Sequence, residues 1–257
     1  MVKAFFLQRY SNPVLTQTLL LVAMLSPMSG MCAAELEQTQ VYISNGQLEY
    51  VGELNAAANQ RLFDLYEKVS PKPTVLAIRS PGGEVNAGMS LGTWVHARAL
   101  HVQVLEFCLS SCANYVFPAG NQKILSNFAV IGYHGGPGDP AKLAFDAPTQ
   151  AMYDSLDAAQ QKAFMDGLAK LSGRDGQREA EYYRQLGVRS DISSLGQDSQ
   201  FDALNKANPD AAGWTYTLEG FSLLGVRNVS VINPPWKPAI FNGMRFITIP
   251  VSKRASD

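Results

Sequence analysis

The run Thr74-Val75-Leu76-Ala77-Ile78 leads through Arg79 directly into Ser80-Pro81-Gly82-Gly83. A short, unbroken apolar segment bounded by turn residues is the pattern of a strand buried on both faces, the kind that parallel sheets contain. Two successive glycines at its end open backbone conformations closed to other residues, and they let N–H groups face a ligand closely. Taken alone, the same four residues are equally an ordinary tight turn.

The strand is one of a series. Val41–Ile43 and Leu48–Val51 read as strands joined at an Asn45-Gly46 turn. Asn55–Val69 reads as a helix, capped by Asn55, with Leu62, Leu65 and Tyr66 on one face and Pro71 and Pro73 beyond its end. Ala87–Leu100 is a second helix and Val102–Phe107 a second inner strand, followed at once by a helix over Ser110–Phe117. Lys123–Leu125 and Ala129–Tyr133 are further strands. Strand–helix–strand order with short apolar strands implies parallel pairing through right-handed crossovers, so the expected class is α/β. Beyond Gly138 the pattern predicts a long helix over Pro148–Leu171, another over Arg178–Leu186, a short one over Thr217–Leu224, and strands over Val229–Ile232 and Phe246–Val251.

The first residues read differently. Lys3 and Arg9 precede an apolar run, Leu19–Leu25, which Pro27 and Gly30 break before Cys32-Ala33-Ala34. That is the layout of a secretory leader, residues 1–34, cut after Ala34; the run is shorter than the ~20 residues of a spanning helix. Export, to the periplasm or outside the cell, is therefore expected, with membrane association only if the segment stays uncleaved. The formal net charge of −1 becomes −1 − 2 = −3 when the leader's two cations are removed. No basic stripe is present, so nucleic-acid binding has no electrostatic support. Cys108 and Cys112 remain after cleavage. In an oxidising compartment they form either a local disulfide or two buried thiols. Two sulfurs without an accompanying His or acid cluster fall short of a metal site, so no metal is expected.

Two further segments carry candidate chemistry. Ser110-Ser111-Cys112 stands at a strand-to-helix junction, where free N–H groups favour developing negative charge but where serine is also a common cap. His134 ends the strand Ala129–Tyr133 and precedes two glycines; as a base it has a suitable pKa for activating a serine hydroxyl. His96 and His101, the other two histidines, fall on and just after a helix, where surface roles are expected.

Three stretches, in order, resemble the Clp protease proteolytic subunit and its relatives in the crotonase superfamily, including signal peptide peptidase A. These are Leu76–Val85 (LAIRSPGGEV), Ser111–Gly120 (SCANYVFPAG) and Ile131-Gly132-Tyr133-His134. More loosely the resemblance runs from Gly52 to Val231, with Pro148–Leu171 in the place of the family's protruding handle helix. It implies a domain over 35–257, with a core of repeated β-β-α units at about 48–232 and a C-terminal tail at 233–257. It also implies a serine hydrolase in which Ser111, chosen over Ser110 by its spacing to Ala119-Gly120, attacks an acyl carbon. His134, 134 − 111 = 23 residues on, would be the base, and the N–H groups of Gly82 and Cys112 would hold the oxyanion. The family's acid has no clear counterpart: the register from Thr217 puts Gly213 in its slot, with Asp210 three residues short and Asp191 more remote.

The resemblance implies peptides or unfolded protein segments as substrates, no cofactor, no nucleotide and a homo-oligomer. The missing acid keeps a second expectation open, a catalytically weak or inactive fold serving as an oligomeric binding or scaffold protein. Crotonase-type acyl-CoA chemistry fits less well, because it needs no serine nucleophile and its substrate is cytoplasmic.

Overall fold

Short apolar strands separated by capped helices produce a layered α/β structure, seen in a computed structural model that describes residues 38–136, 147–238 and 243–253. The leader expected over 1–34 and the loop 137–146 lie outside those residues. In chain order the strands are β1 (Gln40–Ser44), β2 (Gln47–Val51), β3 (Val75–Arg79), β4 (His101–Val104), β5 (Phe107–Leu109), β6 (Lys123–Ser126), β7 (Val130–Gly132), β8 (Ala211–Thr215), β9 (Val229–Ile232) and β10 (Arg245–Thr248). The α-helices are α1 (Ala56–Lys68), α2 (Val85–Ala97), α3 (Phe117–Ala119), α4 (Ala147–Asp154), α5 (Ala158–Leu186), α6 (Asp202–Ala207) and α7 (Leu218–Leu223).

Six strands form one sheet in the order β1-β2-β3-β4-β6-β9. Only the β1–β2 hairpin is antiparallel; every other neighbour runs parallel. The parallel strands bury Leu48, Tyr50, Leu76, Ile78, Val102 and Val104, each worth about 1.5–3 kcal/mol on leaving water. Helix α1 is capped by the Asn55 side chain, which accepts the Ala58 N–H at 2.8 Å, and its Phe63 ring stacks on Trp94 of α2 at 4.8 Å.

The strand expected over Val102–Phe107 is two strands. β4 stays in the large sheet, and after Leu105-Glu106 the chain turns into β5, which pairs in parallel with β7 instead. Isolated bridges join Ser80 to Cys108 and Tyr133 to Trp214, and β8 pairs in parallel with β10. A second hydrogen-bonded layer therefore runs from the end of β3 through β5, β7 and β8 to β10. The C-terminal segment is its last strand.

The helices beyond 146 are also divided differently from expectation. The first ends at Asp154, and α5 starts afresh at Ala158 behind an Asp157–Gln160 capping box. It then continues to Leu186 through Gly173 and Gly176, joining what periodicity reads as two helices. Gly187 closes it at φ 66°. No described residue of α4, and none of α5 before Asp175, is buried.

Candidate functional site

The end of β5 is held from both sides. Ser80 donates its N–H to Phe107 O at 3.3 Å and accepts from Leu109 N at 3.0 Å, while Ser110 N–H donates to Gly132 O of β7 at 2.8 Å. At Ser110 the chain turns sharply, with φ at +55°. A side-chain-bearing residue in the left-handed region is uncommon, costs about 1–3 kcal/mol and persists only where its surroundings enforce it. The next turn begins at once: Asn114 N–H donates to Ser110 O at 2.8 Å. Cys112–Val116 is a π-helix, with Phe117 N–H reaching Cys112 O five residues back. Cys108 and Cys112 are joined by a disulfide across this turn, with Cα atoms 5.2 Å apart.

His134 follows β7. Its predecessor Tyr133 exchanges two backbone hydrogen bonds with Trp214, each of 2.8 Å. Its own carbonyl accepts from Gln197 Nε2 at 3.2 Å, and Gly135 O accepts from Asn114 Nδ2 at 2.9 Å. So fixed, the imidazole places Nε2 2.7 Å from Ser110 Oγ. Burial is the main influence on the ring and lowers its pKa below 6.5. A neutral ring with its proton on Nδ1 accepts the Ser110 O–H at Nε2.

The pairing of His134 with Ser111 is therefore corrected: the histidine meets Ser110. Ser111 is 2% exposed, and its hydroxyl donates to Gly83 O at 2.9 Å. The physical reason lies in the backbone. Spacing to Ala119-Gly120 does not record which way each serine is turned: Ser110 is left-handed at φ +55° and a π-helix follows it, so the two neighbouring side chains face different ways. Ser110, half-buried rather than enclosed, takes the position facing the histidine.

The oxyanion expectation shifts as well. Gly82 N–H already donates to the buried Ser80 Oγ at 3.1 Å. What Gly82 supplies is closeness: a Cβ there would lie 2.5 Å from Ser110 Cβ and 2.8 Å from Leu109 O. Gly83, at φ +146°, is half-buried. Cys112 is fully buried in the disulfide. The N–H groups of Ser111 and Cys112 stand in the first turn, ahead of the first intrahelical bond.

Asp210 is exposed and makes no hydrogen bond or ion pair among the described residues. The slot counted back from Thr217 does fall beside the histidine, and it holds Gly213: a Cβ there would meet Tyr133 O at 1.9 Å and His134 Cα at 3.3 Å. Asp191 is held by Arg189 at 2.7 Å.

Three positioning residues carry no sequence signal of their own: Gln197, Asn114 and Glu179. Glu179 of α5 is 8% exposed. It accepts from Tyr115 of the π-helix at 2.9 Å and from Ser193 at 3.0 Å, and its Oε1 would lie 3.0 Å from a Cβ on Gly136. Burial pushes its carboxyl up to about 7. Beside His134 opens a cavity of about 270 Å³, lined by Gln197, Asn208, Gly213 and Trp214 among others.

Among the described residues no three His, Cys, Asp or Glu side chains group as a metal site, and no helix is long and apolar enough to cross a membrane. The chain matches no family model and no curated protein.

Proposed function

We propose that this protein is a serine hydrolase in which Ser110 is the nucleophile and His134 its base, acting on peptides or unfolded protein segments. The observation that carries the reading is the 2.7 Å contact between His134 Nε2 and Ser110 Oγ, at a serine set in the left-handed region on a strand-to-helix turn. A nucleophile on such a turn projects its oxygen clear of the backbone, and the N–H of the following residue lies beside it. The resemblance to the Clp protease proteolytic subunit and its β-β-α units supports the same chemistry, with the nucleophile moved one residue towards the N-terminus.

In the first half-reaction Ser110 Oγ attacks the acyl carbon while His134 Nε2 takes its proton, then returns it to the leaving group. A water activated by the same imidazole hydrolyses the acyl-enzyme in the second. The N–H groups of Gly83 and Ser111 are the candidate oxyanion donors, and one such donor is worth about 2.7–4 kcal/mol of barrier. The cavity of about 270 Å³ borders His134, the base of the pair. The chemistry calls for neither metal nor nucleotide. Export past a cleaved leader belongs to the same reading, as does self-association through α4 and the unburied first half of α5.

One observation favours a binding scaffold instead: among the described residues Asp210 is exposed and makes no hydrogen bond or ion pair, and glycine occupies the acid's slot beside His134. A fluorophosphonate probe separates the two. An activated serine forms a covalent adduct, and His134→Ala removes the labelling. A folded wild-type protein that takes up no probe contradicts the hydrolase and leaves the scaffold.

A further inference from the structure

The Cys108–Cys112 bridge closes over Ser110. Cys108 lies in β5, the strand that ends one residue before Ser110; Cys112 opens the π-helix two residues after it. Both are fully buried within the main core cluster. We infer that this disulfide is a clamp that holds Ser110 in its left-handed, His134-facing conformation, so that reducing it turns the site off. The inference rests on the serine-hydrolase reading.

A bridge closing so short a loop removes less chain entropy from the unfolded state than one closing a long loop, so its effect is local rather than that of a global staple. Locally its position matters a great deal. On the strand side, the backbone up to Leu109 is tied to Ser80, and Ser110 N–H to Gly132. On the helix side, Ser111 Oγ is tied to Gly83 O and Asn114 N–H to Ser110 O. These bonds fix the two flanks, and the bridge is the covalent link that sets the distance between them. Ser110, at φ +55°, sits in the span it shortens.

Reduction breaks the S–S bond and forms two S–H groups, with two electrons and two protons coming from an added dithiol that becomes its own cyclic disulfide. Bonded sulfurs sit about 1.5 Å closer than two thiols in van der Waals contact. Packed interiors do not absorb such a change in place. The strand is held by Ser80 and Gly132, so the displacement falls on the turn that carries Ser110. A misplacement of about 1 Å at reacting atoms lowers rates about 100-fold.

The test is fluorophosphonate labelling of the whole protein, oxidised and after dithiothreitol, with the reduction of Cys108 and Cys112 verified by alkylating a separate denatured aliquot and measuring peptide mass. The clamp predicts a maximal labelling rate about 100-fold lower in the reduced, folded protein, little change in the probe's half-saturation concentration, and recovery on reoxidation. The Cys108→Ala/Cys112→Ala double variant, which introduces no thiols, should also fold and label more slowly than the oxidised protein. Labelling of the reduced protein within about threefold of the oxidised rate overturns the clamp and leaves the hydrolase standing. So does complete loss of the far-ultraviolet dichroism on reduction, which would make the bridge a global staple. Absence of labelling in either state overturns the hydrolase itself, and the clamp with it.

Discussion

His134 Nε2 lies 2.7 Å from Ser110 Oγ, while the neighbouring Ser111 turns its hydroxyl away to Gly83 O at 2.9 Å. Two adjacent serines thus have opposite assignments. One is half-buried and faces the imidazole; the other is enclosed and ties the turn that carries Ser110 to the glycine loop after β3. The difference arises in the backbone, because a left-handed residue followed by a π turn rotates consecutive side chains to different sides.

The imidazole sets the first prediction. Burial lowers the His134 pKa below its ordinary 6.5, so the neutral ring predominates at pH 7. The probe-labelling rate should fall on acidification with its midpoint below pH 6.5, as the imidazole becomes protonated. A rate–pH profile measures this directly, and an inflection above 6.5 would contradict the environment described for the ring.

Gly82 is predicted to tolerate no side chain. Its φ of +98° is unfavourable for alanine, and the added Cβ would meet Ser110 Cβ at 2.5 Å and the Leu109 carbonyl at 2.8 Å. The second of these is backbone and cannot rotate away. Gly82→Ala should lower thermal stability by about 1–3 kcal/mol and labelling by about 100-fold or more. Unchanged labelling would mean that the loop after β3 does not abut Ser110.

Much of the fold was legible in the sequence, and the reasons for the exceptions are physical. β1, β2, β3 and α1 follow from apolar runs, an Asn-Gly turn and an asparagine cap, all local signals. The split of Val102–Phe107 into β4 and β5 depends on which strand each half pairs with, and no local pattern records that. Helix α5 runs through Gly173 and Gly176 because its Tyr182 and Tyr183 are anchored in the core, outweighing the helix penalty of the glycines. At the site, the strand–Gly-Gly turn, the serine pair and His134 were each visible. Which serine faces His134 was not, since that depends on the left-handed backbone at Ser110 and the π-helix after it, and no local pattern records either. Gln197 and Asn114, which hold the His134–Gly135 backbone, come from distant segments with unremarkable sequence.

Glu179 supplies a prediction about stability. Its carboxyl has an ordinary value of 4.5 and is pushed up to about 7 by burial. Below pH 4.5 it is protonated in folded and unfolded chains alike. Between 4.5 and about 7 the unfolded chain has lost the proton and the folded one keeps it, so stability falls as pH rises, by about 3 kcal/mol in all above pH 7. Glu179→Gln keeps an acceptor for Tyr115 and Ser193 without the charge. Its melting temperature should gain on the wild type between pH 5 and pH 8. Parallel pH dependence in the two proteins would show that this carboxyl does not titrate in that window.

Asp210 is predicted to be dispensable. It is exposed, and Gly213 rather than an acid lies against His134 Cα. Asp210→Ala should label within about twofold of the wild type, whereas loss of an acid orienting the histidine lowers rates about 10⁴-fold. A fall of that size would require Asp210 to reach the imidazole in solution.

The most direct test of the account compares two variants one residue apart, Ser110→Ala and Ser111→Ala, for fluorophosphonate labelling of the folded protein. Ser110→Ala is expected to abolish labelling, by at least about 10⁴-fold, and Ser111→Ala, which loses only the bond to Gly83 O, to stay within about tenfold of the wild type. Labelling that survives in Ser110→Ala and disappears in Ser111→Ala would contradict that expectation and return the nucleophile to Ser111.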